Sequence, residues 1–380
     1  MKFFKYLFVL LSLILMISCG GDEEEEDWGN DGDGGDSGNN EENGGWESQE
    51  GQDYEILKFE DDLSKAYFQQ IAIGLNNEIY VAGYTYDNLY AELNGKNDPF
   101  LLAIDSKGKK LWGKQWGVPV IRSSNNDVSG MSVDTDGNIY VSIYANPSVA
   151  KFSPDGTKIW EIFPDLEKGK ISTLKVDKFN NVYIGFESGA ENNTNIIKYS
   201  DQGKELQRYN ISTDSSCSTR TLVIDSEGNI YAGGYTYDSL FADNAGKRDA
   251  FLVKIAPDGT LLWTKQWGSS GEDGVGSILM KTDDAIFVSS FSSMGMLFKF
   301  SYDGNKMWEI EQLCGSVTMY SNNIYCTTTE NQIYKYNIQG EYLGTSVMFE
   351  HLGSITCDSK ENIYVMGSHS LMKILSSTIK

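Results

Sequence analysis

Two stretches of this chain carry residue types suited to binding. Gly83-Tyr84-Thr85-Tyr86-Asp87 recurs as Gly234-Tyr235-Thr236-Tyr237-Asp238, Gly95-Lys96 with Asp98 recurs as Gly246-Lys247 with Asp249, and Lys114-Gln115-Trp116-Gly117 recurs as Lys265-Gln266-Trp267-Gly268, each at an offset of 151 residues. Tyr84, Tyr86, Tyr235 and Tyr237, together with Asp98, Asp249, Arg248 and Arg122, offer stacking area and hydrogen bonds at low entropic cost, which is the chemistry of a recognition face. The competing reading is that Tyr and Trp at fixed repeat positions pack between units. Reactive chemistry is sparse. With His351 and His369 as the two histidines, a His-rich zinc site is excluded, and no nucleophile-base set is visible, so a non-catalytic protein is expected. Asp134-Thr135-Asp136-Gly137-Asn138 and Asp225-Ser226-Glu227-Gly228-Asn229 resemble pieces of a calcium loop. They lack its full spacing and its distal bidentate Glu, so hairpin turns are expected, with calcium left as the open alternative to no cofactor.

The elements that must hold these residues come from a repeat. An Asp- or Asn-rich turn followed by Ile/Val-Tyr/Phe appears at Ile79-Tyr80, Ile139-Tyr140, Val182-Tyr183, Ile230-Tyr231, Ile286-Phe287, Ile324-Tyr325 and Ile363-Tyr364. Spacings of 60, 43, 48, 56, 38 and 39 residues mark units that cannot bury their faces alone and must stack on neighbours. In each unit a first strand enters the turn, the Ile-Tyr phrase leaves it, and a third strand runs to a second turn ending in Gly. A fourth strand then leaves as Leu111-Trp112, Ile159-Trp160, Leu262-Trp263 or Met307-Trp308. Asp bonds its own backbone and Gly accepts positive φ, so both turns suit tight hairpins.

Four short antiparallel strands per unit predict an all-β, seven-bladed β-propeller over residues 54–380. Seven first, second and third strands are present but only six fourth strands, and Tyr54 to Phe59 is an orphan. This segment is therefore expected to complete the C-terminal blade and seal the ring against edge pairing. Connections from second to third strand and from fourth to next first strand must emerge on one face. Tyr84 to Pro99, Tyr235 to Ala250, Val118 to Asp127 and Ser269 to Gly274 then share it, with short turns opposite.

Residues 1–18 have the layout of a secretory signal: Lys2 and Lys5, then an apolar run from Leu7 to Ile17, too short to span a bilayer. Leu15-Met16-Ile17-Ser18-Cys19 resembles the lipobox of bacterial lipoproteins, with Met16 where that family prefers Leu. The resemblance implies cleavage before Cys19, acylation of its thiol and new amino group, and a stable membrane anchor. Residues 19–53 then read as a disordered tether, with fourteen Asp or Glu and no Lys or Arg over residues 20–53. The run from Asp22 to Asp27 resembles the acidic export signal of some surface-exposed lipoproteins, with a plain solvated spacer as the alternative. For Trp28 and Trp46, contact with the membrane surface or the ring is the one role the sequence suggests.

The chain has 31 basic and 54 acidic residues, net charge −23, which opposes nucleic acid as a partner and favours a basic protein, a glycan or a cation. Cys217, Cys314, Cys326 and Cys357 show no metal spacing. They read as buried unpaired thiols, with one disulfide in the 314 to 357 region as the alternative.

Asp249-Ala250-Phe251 through Lys254, Trp263 and Gly268, and Asp98-Pro99-Phe100 less closely, resemble the seven-bladed beta-propeller (SBBP) repeat family of bacterial envelope proteins. Its units read Gly-x-x-Asp-Ala-Phe-x-x-Lys, Asp-x-x-Gly, Leu-x-Trp and Asp-x-x-Gly-Asn-x-Tyr. The resemblance covers about 100 residues and implies a fold and an envelope location. The expectation is a monomeric, lipid-anchored binding or scaffold propeller of the bacterial outer membrane, open to the cell surface, with a protein or glycan ligand. The alternatives are an assembly lipoprotein similar to the propeller subunit of the outer-membrane barrel machinery, and a propeller lyase or quinone-dependent dehydrogenase.

Overall fold

The computed structural model describes residues 44–49, 54–59, 62–117, 126–165, 169–187, 195–211, 217–281, 285–291, 295–312, 314–346, 348–349 and 352–379. Cys19, Arg122 and His351, and with them the lipid site, lie outside these residues. Strands β1 (Gly45–Ser48) and β2 (Tyr54–Lys58) precede the repeats. The first unit holds β3 (Ala66–Ile73), β4 (Ile79–Thr85), β5 (Asp98–Ile104) and β6 (Lys110–Gln115), and the second β7 (Val128–Val133), β8 (Ile139–Ile143), β9 (Ser148–Phe152) and β10 (Lys158–Ile162). The third holds β11 (Lys170–Val176), β12 (Val182–Glu187), β13 (Ile196–Tyr199) and β14 (Glu205–Tyr209), and the fourth β15 (Cys217–Ile224), β16 (Ile230–Thr236), β17 (Asp249–Ile255) and β18 (Leu261–Trp267). The fifth holds β19 (Gly274–Lys281), β20 (Ala285–Phe291), β21 (Met296–Ser301) and β22 (Lys306–Ile310), and the sixth β23 (Cys314–Tyr320), β24 (Asn323–Thr328), β25 (Ile333–Asn337) and β26 (Tyr342–Thr345). β27 (Ile355–Cys357), β28 (Asn362–Met366) and β29 (Leu371–Leu375) end the series.

Hydrogen bonding groups these strands into six sheets, not seven separate ones, because the third and fourth units are joined by the pair Glu187–Ser218 into one eight-stranded sheet. The terminal sheet runs β1-β2-β29-β28-β27, with Tyr54 opposite Ile374 and Ile56 opposite Met372. First strands of successive units touch in chain order from β3 to β27, and β27 touches β3. The apolar core lies between neighbouring sheets. Tyr80, Leu101 and Trp116 pack on Val128, Val141 and Phe152, for example, and second strands covered on both sides are buried along their length.

The turn residues explain the repeated tyrosine. Asp134 Oδ1 accepts the amides of Asp136 at 2.9 Å and Asn138 at 2.8 Å, while Oδ2 accepts Asn138 Nδ2 and the Tyr140 hydroxyl, both at 2.9 Å. The same set recurs at Asp177 with Asn181 and Tyr183, Asp225 with Asn229 and Tyr231, and Asp358 with Asn362 and Tyr364. Each carboxylate spends its lone pairs on N–H and O–H donors, which is hairpin chemistry, and among the described residues no group of three or more His, Cys, Asp or Glu is placed to hold a metal ion.

The fourth-strand tryptophans link neighbours. Trp112, Trp160, Trp263 and Trp308 donate their indole N–H to Pro154, Asp201, Tyr302 and Ile338, turn carbonyls of the following sheet, at 2.9, 2.8, 2.9 and 3.3 Å. Each ring also packs on its own unit's second-strand aromatic, as Trp112 on Tyr80 at 6.0 Å and Trp160 on Tyr140 at 5.8 Å. Gly156, at φ 80°, lies under Trp112 so closely that a Cβ would fall 2.7 Å from the indole. Gly156→Ala is expected to destabilise the fold by about 1–3 kcal/mol through backbone strain and this clash, read as a lower urea midpoint at unchanged slope.

Two expectations need correction. Residues 45–48, assigned to the tether, form β1, and Trp46 packs on Tyr364 at 5.7 Å with the Lys373 ammonium 5.7 Å from its ring. The terminal sheet thus regains from an added strand the Trp-on-Tyr contact that its sequence lacks. Cys314 and Cys326, on the adjacent strands β23 and β24, form a disulfide, while Cys217 and Cys357 remain thiols. The other reading, one bond in the 314 to 357 region, is the one realised.

Candidate functional site: a tyrosine and arginine rim

In every antiparallel pair the first strand starts where the second ends, so second-strand exits crowd one end of the structure. Tyr67 lies opposite Tyr84, Lys170 opposite Glu187, Ser218 opposite Tyr235, and Gly274 opposite Phe291. Tyr144 follows β8 at the corresponding place, its amide donating to Asp127 O at 2.8 Å.

These exits form a connected row. Glu187 accepts the hydroxyls of Tyr144 at 2.6 Å and Tyr235 at 3.2 Å, tying three units together. Arg248 lies 4.4 Å from the Tyr235 ring and 5.4 Å from that of Phe291, and pairs with Glu272 at 3.2 Å. Lys170 sits 4.8 Å from the Tyr144 ring, and the exposed Arg220 is 5.8 Å from Phe291. Burial first, and then the Glu187 carboxylate, hold the phenols of Tyr144 and Tyr235 above their usual range, so both stay neutral donors. A second aromatic group lies at the junction of the terminal and first sheets. Tyr67, 37% exposed, stacks on Tyr84 at 5.1 Å and meets Tyr86 and His369 edge-on. His369 Nδ1 is 2.8 Å from the Ala66 carbonyl, which can only accept, so Nδ1 carries the proton and Nε2 is the acceptor of the neutral ring.

The sequence-derived candidates separate under this geometry. Tyr84, Tyr86, Tyr235 and Arg248 are part of the two groups, and Tyr237 stands 56% exposed against Tyr235 at 5.6 Å. Asp98 and Asp249 are buried, not displayed, because they staple the loops from inside. Asp98 Oδ2 accepts the amide of Asn94 at 2.8 Å, and Asp249 accepts Ala245 N at 3.2 Å and Gln266 Nε2 at 2.9 Å. The recurring Gln does the same work, Gln115 Oε1 accepting Leu89 and Tyr90 amides at 2.8 and 3.0 Å and Gln266 Oε1 accepting Phe241 N at 2.8 Å. Sequence reasoning missed Tyr144, Glu187, Phe291 and Tyr67. The 151-residue offset singled out two units, whereas the row draws on units that lack that match.

The site has neutral phenol donors, guanidinium faces over aromatic rings and one shared carboxylate, a set that binds by stacking and hydrogen bonding. No protein-family model matches the chain, and no curated protein sequence matches it. Among solved structures it is similar to a catalytically inactive variant of virginiamycin B lyase from Staphylococcus aureus with quinupristin, at 12% identity and TM-score 0.60 over 85% of this chain and 98% of that one. It is also similar to a streptogramin B lyase, at 14% identity and TM-score 0.57 over 84% and 95%, and to the Dos1 propeller, at 9% identity and TM-score 0.53 over 81% and 78%. At these identities the likeness shows the fold alone: the chain is an all-β propeller of small antiparallel four-stranded sheets.

Proposed function

We propose that this protein is a seven-bladed propeller sealed by its N-terminal strands and anchored in the bacterial outer membrane through acylated Cys19, whose tyrosine and arginine rim binds an envelope protein or glycan without catalysis. Support for seven blades comes from the unbroken contact series of first strands and from apolar clusters between every pair of neighbours, including the one that joins Leu57 and Tyr364 to Phe68 and Phe100. The eight-stranded sheet then counts as two blades bridged at Glu187. The observation that carries the binding reading is the Tyr144–Glu187–Tyr235–Arg248–Phe291 row, which crosses four units and carries the exposed Tyr237 against Tyr235. For the location, the support is the Cys19 motif. No helix among the described residues is long and apolar enough to cross a membrane.

The test is binding of the purified chain to immobilised envelope polysaccharides and envelope proteins by biolayer interferometry. The double variant Tyr237→Ala/Arg248→Ala is expected to weaken the wild-type signal at least about tenfold, the loss of two contacts at about 1 kcal/mol each or more. Unchanged binding would reject the rim. A large loss of thermal stability in the variant would make these packing residues.

A second reading, a propeller enzyme, is favoured by one observation: His369 is exposed, with its tautomer set by Ala66 and its ring against Tyr67. Turnover of quinupristin that His369→Ala abolishes would carry that reading over the first.

A further inference from the structure

At the opposite end from the rim, the inner strands line a wide-mouthed cavity of about 400 Å³, within the usual range of about 300–1,000 Å³ for ligand sites. Its wall comes from the late residues of five first strands, close to the Asp turns. Six of the eleven described lining residues are apolar, among them Ile71, Ile73 and Met319, but the surface left open between them is mainly polar, with hydroxyls from Ser132, Thr318 and Thr356. Lys175 is the one cation among the described lining residues.

Lys175 is unusual for this protein. The other third- and first-strand lysines find rings, carboxylates or an amide oxygen, as Lys151 does with Asp134 at 3.7 Å, Lys373 with Glu55 at 3.1 Å and Lys281 with the Asn322 side-chain oxygen. Lys175 has no ion pair or hydrogen bond to a described residue. By area it is partly accessible, because it borders the cavity, yet the surrounding strands crowd it enough for desolvation to push its ammonium pKa down. The other titratable group on the wall, Cys357, cannot balance it: burial raises the thiol pKa, and its sulfur interacts with Thr318 Oγ1 at 3.4 Å and Met319 O at 3.3 Å. A cation without a partner is costly to keep in such surroundings.

We propose that this axial cavity binds a small organic monoanion, a carboxylate with a short apolar body, whose charge seats against Lys175. An ammonium is a compact point charge without the fork that holds a phosphate bidentately, so one lysine suits one carboxylate. The Ser132 and Thr356 hydroxyls can donate to its oxygens, and the half-buried Ile71, Ile73 and Met319 flank its short hydrocarbon part. The site is separate from the rim and does not depend on it.

Hexanoate, hexan-1-ol and inorganic phosphate, each titrated into the full chain at fixed ionic strength and followed by calorimetry and thermal shift, test the proposal. Hexanoate is expected to bind one-to-one and raise the melting temperature, with hexan-1-ol and phosphate at least tenfold weaker. Lys175→Met should lose at least tenfold in hexanoate affinity. Ser132→Trp, which keeps the charge but fills the space from a half-buried position outside the apolar core, should lose as much and guards against misfolding of the first variant. Tyr237→Ala should bind hexanoate like the wild type. The proposal is overturned if the wild type does not bind hexanoate, if Lys175→Met or Ser132→Trp binds it equally well, or if hexan-1-ol or phosphate matches it.

Discussion

Deletion of residues 44–59 will leave a chain that melts far below the full protein and self-associates. β2 covers the outer side of β29, and without it Leu371, Met372 and Ile374 lie on an open strand edge, a template for pairing with other molecules. The packing loss is larger than the hydrogen-bond loss. Leu57 is buried among Phe68, Ile79 and Phe100, Trp46 packs on Tyr364, Tyr54 meets the Phe349 ring at 5.1 Å, and Gly108 of the first unit sits against both Leu57 and Trp46. Removing large buried side chains costs about 2–5 kcal/mol each, so the sum approaches the whole stability of about 5–15 kcal/mol of an ordinary domain. Light scattering after size exclusion and a thermal melt read the result. A monomer melting within a few degrees of the full chain would show that the terminal sheet does not need these strands. Trp46→Ala alone should cost about 2–3 kcal/mol, since the indole is only partly enclosed.

Asp134→Ala is expected to lower stability by about 3–5 kcal/mol. The carboxylate is enclosed, its side chain 0% exposed, and Lys151 beside it is 8% exposed. Truncation removes the acceptor of the Tyr140 hydroxyl, Asn138 Nδ2 and two turn amides at once, and leaves the Lys151 ammonium only the Asp201 carbonyl at 3.4 Å and the Tyr140 ring. Urea denaturation should show the loss. In a Tyr140→Phe background the same truncation should cost about 1 kcal/mol less, because one stranded donor is gone. Full additivity of the two changes would mean that the hydroxyl gains nothing from Asp134.

How much of this was legible beforehand follows from range. The Asp-x-x-Gly turns, the alternation from first to second strand and the Leu-Trp exits act over a few residues, and the strands appear where those signals place them. The orphan segment 54–58 also pairs with β29, because a count of strand types exposed a missing member. For Trp46 the sequence left membrane surface and ring both open and the structure shows the ring, but the partner was not legible, since Tyr364 stands over 300 residues away and the neighbours of Trp46 are Gly and Glu. The site divides similarly. Tyr84, Tyr86 and Tyr235 stood out by repetition and Arg248 by its place between the repeated Lys247 and Asp249, whereas Asp98 and Asp249, equally repeated, turned inward because loop amides needed acceptors.

The amino-acid order alone determined the strand, turn and unit structure, since hairpin chemistry and apolar spacing are written within some forty residues. Tertiary structure decided which side chains share a surface. Glu187 meets Tyr144 and Tyr235, and Lys175 is left facing an axial cavity without a counterion among the described residues, through the lateral meeting of units that are distant in sequence, and no local pattern encodes such meetings.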